Sequence, residues 1–108
     1  MMPTSTTTTE RPPILSTPGE ILKEEFLDPL GITVYRLAKA MGVGETGVSE
    51  IINGRRRIST AMAYRLAYAL GTTAMFWMNL QTDYDAKSFD PSELQNTVKP
   101  LINAPASQ

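Results

Sequence analysis

The sequence predicts an all-α domain of five helices that contains a helix-turn-helix motif. Two observations support this fold class. Apolar residues recur at helical spacing on both sides of a tight turn at Gly42. Further segments with the same spacing lie before and after this pair, so the motif sits inside a larger helical domain.

The motif itself runs from Thr33 to Asn53. Gly42 can adopt the left-handed backbone of a sharp turn without steric cost. Ala38 is a small residue at the place where the second helix must come close, and the second helix has one narrow apolar stripe at Val48, Ile51 and Ile52. In a helix-turn-helix, the second helix lies in the DNA major groove.

The predicted helices span residues 19–27, 34–41, 45–52, 61–70 and 74–84. Pro18 suits the first turn of the first helix, and Pro29 is expected to end it by moving Asp28 out of helical geometry. N-terminal caps are expected at Thr33, Thr73 and either Ser59 or Thr60.

The chain divides into three predicted regions. Residues 1–16 are rich in Thr and Pro and are expected to be a disordered tail, because they bury too little apolar surface. The helix-turn-helix domain spans 17–86. Residues 87–108 form a C-terminal extension that is expected to be mostly flexible, with at most one short helical turn after Pro91.

Composition excludes several function classes. The 108 residues include no Cys and no His, which excludes a disulfide framework, a zinc finger and Cys- or His-based catalysis. No enzymatic activity and no cofactor are expected. No segment approaches the ~18 apolar residues of a membrane span, and the N-terminus lacks the pattern of a secretory signal, so the expected location is the cytoplasm.

Charge is unevenly distributed along the chain. The overall net charge is −1, but residues 33–71 carry six basic residues against two acidic ones. Local positive charge that faces phosphates is the expected footprint of a DNA-binding protein. The acidic flanks argue against a protein that coats DNA without specificity.

The exposed face of the second motif helix holds the predicted base-reading residues, which are Glu45, Thr46, Ser49, Glu50 and Asn53. Hydroxyl groups can bond base edges, and an Asn side chain can pair with adenine or meet a phosphate. Each Glu could accept from cytosine, hold an Arg side chain in place or face solvent. Because this face has no Arg or Lys, DNA shape is expected to supply much of the specificity.

The predicted phosphate contacts lie beside this helix and are Thr33, Tyr35, Arg36, Arg55, Arg56 and Arg57. A helix N-terminus with a Thr cap offers amide donors to an anion. The run of three Arg follows the reading helix directly, so phosphate contact is favoured over the alternative of a solvated loop.

A homodimer is expected, because one reading helix buries too little surface for specific recognition. Its two reading helices should lie about 34 Å apart, one turn of B-DNA. Phe76 and Trp77 are candidates for the dimer seam, although an aromatic stripe is more often part of a core.

The chain resembles the HigA-type antitoxins of the XRE-like family over about 18–84. The matching segments are 18–22, 25–27, 29–31, 37–42, 48–55, 65–67, 69–71 and 76–81. The resemblance implies a five-helix lambda-repressor-like domain and a homodimer that binds a palindromic operator over its own promoter. It also implies a complex with a HigB-type toxin, a ribosome-dependent mRNA ribonuclease.

Two other readings stay open. The chain could be a free-standing XRE-type transcriptional repressor without a toxin partner. It could also be a helix-turn-helix fold that binds only protein, since fold does not determine function. The motifs that flank the helix-turn-helix favour the antitoxin.

Overall fold

The computed structural model describes residues 16–102, and this part of the chain contains six helices. Helix α1 covers 18–30 in three consecutive segments, which are α-helical Pro18–Ile21, π-helical Leu22–Leu27 and α-helical Asp28–Leu30. The others are α2 (Val34–Met41), α3 (Glu45–Ile52), α4 (Thr60–Leu70), α5 (Ala74–Ser88) and α6 (Ser92–Thr97). The predicted disordered tail lies almost wholly outside the described residues.

The all-α fold class is confirmed, and α2 and α3 have the predicted bounds. Helix α4 begins one residue earlier than predicted, and α5 continues four residues further, to Ser88. Helix α6 is a sixth helix in the C-terminal extension, where the sequence indicated one short turn. Helices α2 and α3 pack against each other, α1 packs on α3 and α5, and α4 packs on α2 and α5.

The prediction that Pro29 ends the first helix is wrong. Asp28 stays helical at φ −64° and ψ −50°, and its N–H donates to the carbonyl of Lys23, five residues back. In a regular α-helix, the ring of Pro29 would clash with the carbonyl four residues back. The wider π turn moves that carbonyl away from the ring. The helix ends at Leu30, and Gly31, which has φ 66°, is its C-terminal cap.

The predicted caps at Thr33 and Thr73 are confirmed, and Ser59 is the cap of α4. The side-chain oxygens of Thr33, Ser59 and Thr73 each accept from a backbone N–H at 3.1 Å. Thr17 and Glu20 add a capping box at the start of α1. These bonds satisfy amides that have no partner within their own helices.

Trp77 lies at the centre of the core, with no exposed surface. Its ring centroid lies 5.1 Å from that of Phe26 and 4.9 Å from that of Phe76. Its indole N–H donates to the Thr72 hydroxyl at 2.7 Å. The prediction of Trp77 at the dimer seam is therefore wrong, because the fold of one protomer already covers this side chain.

Gly19 brings the start of α1 into direct contact with the end of α3. A Cβ at this position would lie 1.8 Å from the carbonyl oxygen of Ile51 and 2.8 Å from the Cα of Ile52. Only a residue without a side chain allows this approach. Gly19 therefore fixes the C-terminal end of the reading helix on the rest of the domain.

Candidate nucleic-acid interface

Helix α3 buries one face and exposes the other. Val48 and Ile51 are 0% and 2% exposed and anchor the helix in the core. Glu45, Thr46 and Asn53 are exposed, whereas Ser49 and Glu50 are half-buried. The predicted base-reading residues thus lie away from the core face of one helix, as a groove-binding helix requires.

Glu50 holds Arg56. A single carboxylate oxygen of Glu50 accepts from Nε of Arg56 at 2.9 Å and from Nη2 at 2.7 Å. The backbone carbonyl of Glu50 also accepts from the amides of Arg55 and Arg56, at 2.8 and 3.2 Å. Of the roles left open for Glu50, the structure places it in contact with an Arg side chain.

The N-terminus of α2 lies beside the outer face of α3. Thr33, Ser49 and Asn53 line one groove of about 540 Å³, so a predicted phosphate contact stands next to two predicted base-reading residues. Tyr35 and Arg36 are exposed on the same helix. The ammonium group of Lys39 lies 5.7 Å from the centre of the Tyr35 ring, a cation–π contact that adds a further positive charge here.

The three consecutive Arg residues differ in their partners. Arg56 pairs with Glu50, and Arg57 pairs with Asp85 of α5. Within residues 16–102, Arg55 makes no ion pair and is exposed. All three line one pocket between the start of α1, the loop after α3 and the C-terminal half of α5.

Three residues for which the sequence predicted no site role stabilise the candidate interface. They are Gln81, Asp85 and Arg65. Gln81 is buried and accepts from the amide of Ile58 at 2.7 Å, while its own amide donates to Asp85 at 2.9 Å. Arg65 donates to the carbonyl of Met41 at the end of α2. Arg65 had counted toward the basic footprint of 33–71, but here it closes a helix end. The sequence shows that Gln81 and Asp85 are four residues apart on one predicted helix, but it does not show that they bond Ile58 and Arg57.

The lowered pKa of Asp85 follows from these contacts. The amide of Gln81 and then the guanidinium of Arg57 both stabilise its carboxylate, so the pKa of Asp85 lies below its ordinary value. The carboxylate is therefore ionised at neutral pH and can hold Arg57.

The comparisons with known proteins agree with this geometry. A family model described as helix-turn-helix matches residues 22–77. Antitoxin HigA-1 of Vibrio cholerae is 51% identical over 67 residues, which cover 62% of this chain and 63% of that protein. The antitoxin HigA of Pseudomonas aeruginosa, solved with the higBA promoter, is 37% identical with a TM-score of 0.75. That alignment covers 82% of this chain and 100% of the solved one.

This chain belongs to the HigA-type antitoxins of the XRE-like helix-turn-helix family. A further solved structure, that of the antitoxin GraA in complex with its operator, is 40% identical with a TM-score of 0.73, covering 86% of this chain and 95% of the solved one. The family comprises DNA-binding antitoxins and transcription regulators and is not typically enzymatic.

Between residues 16 and 102, no helix combines the length and apolar character that crossing a membrane requires. The same part of the chain contains no cluster of three or more His, Cys, Asp or Glu residues suited to hold a metal ion.

Proposed function

We propose that this HigA-type protein is the antitoxin of a type II toxin–antitoxin module. As a homodimer it represses its own operon at a palindromic operator, and it neutralises a HigB-type mRNA ribonuclease. The observation that carries the proposal is the geometry of α2 and α3, in which polar side chains flank a reading helix anchored by Val48 and Ile51. The proposed location of the protein and of its two partners, the operator DNA and the toxin, is the cytoplasm. No catalytic role is proposed.

In the DNA complex, α3 enters the major groove with Thr46, Ser49 and Asn53 toward the base edges. The start of α2 and the loop after α3 meet the DNA backbone through Thr33, Tyr35, Arg36, Arg55 and Arg56. These backbone contacts supply affinity, whereas the small polar side chains of α3 supply a modest direct readout.

The dimer seam is proposed at the N-terminal turn of α5. Met75 is 58% exposed and Phe76 is 38% exposed, whereas the next residue, Trp77, is fully buried. Pairing of two such surfaces would cover apolar area that one protomer leaves in water. Analytical ultracentrifugation of the Phe76→Ser variant is expected to show a loss of dimer, whereas a variant that stays dimeric would remove Phe76 from the seam.

The toxin partner is supported by membership in the HigA-type antitoxin family. The experiment is to express the open reading frame adjacent to this gene, alone and with this protein. Growth arrest by the neighbour alone, rescue by co-expression and co-purification are expected. If the neighbouring gene product is not toxic but this protein binds DNA, the free-standing repressor is favoured. If the neighbouring product is not toxic and this protein does not bind DNA, a protein-binding module is favoured.

A further inference from the structure

A chain of side-chain hydrogen bonds connects α5 to the Arg loop, residues Arg55 to Arg57. It begins at the amide of Ile58, which is buried at the end of this loop and donates to Oε1 of Gln81 at 2.7 Å. The Gln81 side-chain nitrogen then donates to Oδ1 of Asp85 at 2.9 Å. The other oxygen of Asp85 accepts from Nη2 of Arg57.

The orientation of the Gln81 amide is fixed by its two partners. The Ile58 N–H can only donate, and the Asp85 carboxylate can only accept. A flipped amide would place the Gln81 NH₂ group against the Ile58 N–H and the Gln81 oxygen against the Asp85 carboxylate. The buried N–H of Ile58 would then have no acceptor. Among the described residues, Gln81 is the buried polar side chain, and no buried side-chain nitrogen or oxygen there lacks a partner.

The Arg loop is therefore held from two sides. Helix α3 holds it through Glu50, which binds the Arg56 side chain and the amides of Arg55 and Arg56. Helix α5 holds it through Gln81 and Asp85, which bind Ile58 and Arg57. The Arg55 side chain, whose own amide Glu50 holds, is exposed and makes no ion pair within residues 16–102.

We infer that Gln81, Asp85 and Arg57 are positioning residues that set the place of the Arg55 side chain beside the reading helix. Arg57 then holds the loop, and Arg55 contacts the DNA phosphate. This inference rests on the proposed function, because it concerns a contact with DNA. It goes beyond that function in assigning a role in DNA affinity to one buried amide and one carboxylate on a helix outside the helix-turn-helix.

The test compares Asp85→Asn with Asp83→Asn, two substitutions that remove the same charge from the same helix. Asp83 pairs only with Lys87 among the described residues and does not line the Arg-loop pocket. The probe is a duplex that the full-length wild-type chain selects from a random-sequence pool. Asp85→Asn is expected to weaken its binding by about twofold to fivefold, the size of one exposed ion pair. Asp83→Asn is expected to leave binding unchanged.

The salt dependence of binding separates positioning from competition. If Asp85 merely kept Arg57 from the DNA, Asp85→Asn would strengthen binding and steepen the salt slope by about one. That result would overturn the inference. Arg57→Ala is expected to weaken binding without changing the salt slope, whereas Arg55→Ala is expected to flatten the slope by about one. A flattened slope for Arg57→Ala would also overturn it.

A second readout does not require DNA. Hydrogen exchange of the Ile58 amide is expected to accelerate in Asp85→Asn and in Gln81→Leu, and not in Asp83→Asn. Equal exchange in all the variants would refute the positioning role. If the wild-type chain selects no duplex, the proposed function fails, and the exchange experiment then decides separately whether α5 fixes the loop. Circular dichroism shows whether each variant is folded.

Discussion

Arg56 binds a single oxygen of Glu50 through both Nε and Nη2, at 2.9 and 2.7 Å. Both side chains are partly exposed, so water and salt screen the pair. Exposed pairs of this kind contribute about 0.2–1 kcal/mol. A DNA phosphate, which binds a guanidinium in a similar geometry, can therefore replace the carboxylate.

Glu50→Gln is expected to strengthen DNA binding by about twofold to fivefold, because Arg56 no longer has to leave a carboxylate before it meets a phosphate. The backbone carbonyl of residue 50 still accepts from the amides of Arg55 and Arg56, so the loop stays held. The measurement is a fluorescence-anisotropy titration at several salt concentrations. Glu25→Gln, an equal charge change on the exposed face of α1, serves as the control. Weaker binding that depends on one base pair would instead assign Glu50 to base reading.

The double substitution Arg55→Ala and Arg56→Ala is expected to weaken binding to all DNA sequences alike. It should flatten the dependence of log K on log salt by about two, one for each lost phosphate contact. Lys87→Ala with Lys99→Ala removes the same charge from the C-terminal part of the chain and provides the control. An unchanged slope in the Arg variant would show that these side chains do not contact DNA.

Gly19→Ala and Gly47→Ala are expected to change the free energy of unfolding in opposite directions. A Cβ at Gly19 would overlap the backbone of Ile51, whereas a Cβ at Gly47 meets nothing within 4 Å. Overpacking costs about 1–3 kcal/mol or more, and replacing Gly by Ala inside a helix gains about 1 kcal/mol. Urea denaturation followed by Trp77 fluorescence measures both. A neutral Gly19→Ala would contradict the close approach of α1 to α3.

Acid is expected to remove the contribution of Asp85 to stability. The pKa of Asp85 is lowered by Gln81 and Arg57, so its stabilisation is present above the ordinary carboxyl pKa and is lost as pH falls through the lowered value. Arg55, Arg56 and Tyr84 line the same pocket as Asp85.

The measurement for Asp85 is the urea midpoint of the wild type and of Asp85→Asn against pH. Their difference should be constant above about pH 5 and should shrink below about pH 4. A difference that does not change with pH would mean that the charge of Asp85 contributes nothing. The same series for Asp83→Asn measures the general effect of net charge.

Sequence reasoning recovered those features that neighbouring residues determine. The bounds of α2 followed from Thr33, which caps its start, and from Gly42, which ends it with φ 73°. The core face of α3 followed from the spacing of Val48 and Ile51. These signals are local, so no knowledge of the remaining chain was needed.

The features that it missed depend on contacts between distant residues or on an unusual backbone. Arg57 and Asp85 are 28 residues apart, and nothing in either neighbourhood identifies the other as a partner. The aromatic stripe around Trp77 was visible, but its burial depends on α1, which supplies Phe26. The end of α1 was misplaced because the rule for proline assumes a regular α-helix and not a π turn.

The contact of Gly19 with Ile51 also makes the segment ahead of Leu22 part of the folded unit. A chain shortened to start at Leu22 would keep every residue of the helix-turn-helix, but it would lose the Thr17–Glu20 capping box and the backbone surface against which α3 ends. Fusion partners attached before residue 16 should leave this junction intact. Among the described residues, Thr17 is the first whose side chain makes a hydrogen bond within the domain, and it lies sixteen residues ahead of Thr33, where the helix-turn-helix begins.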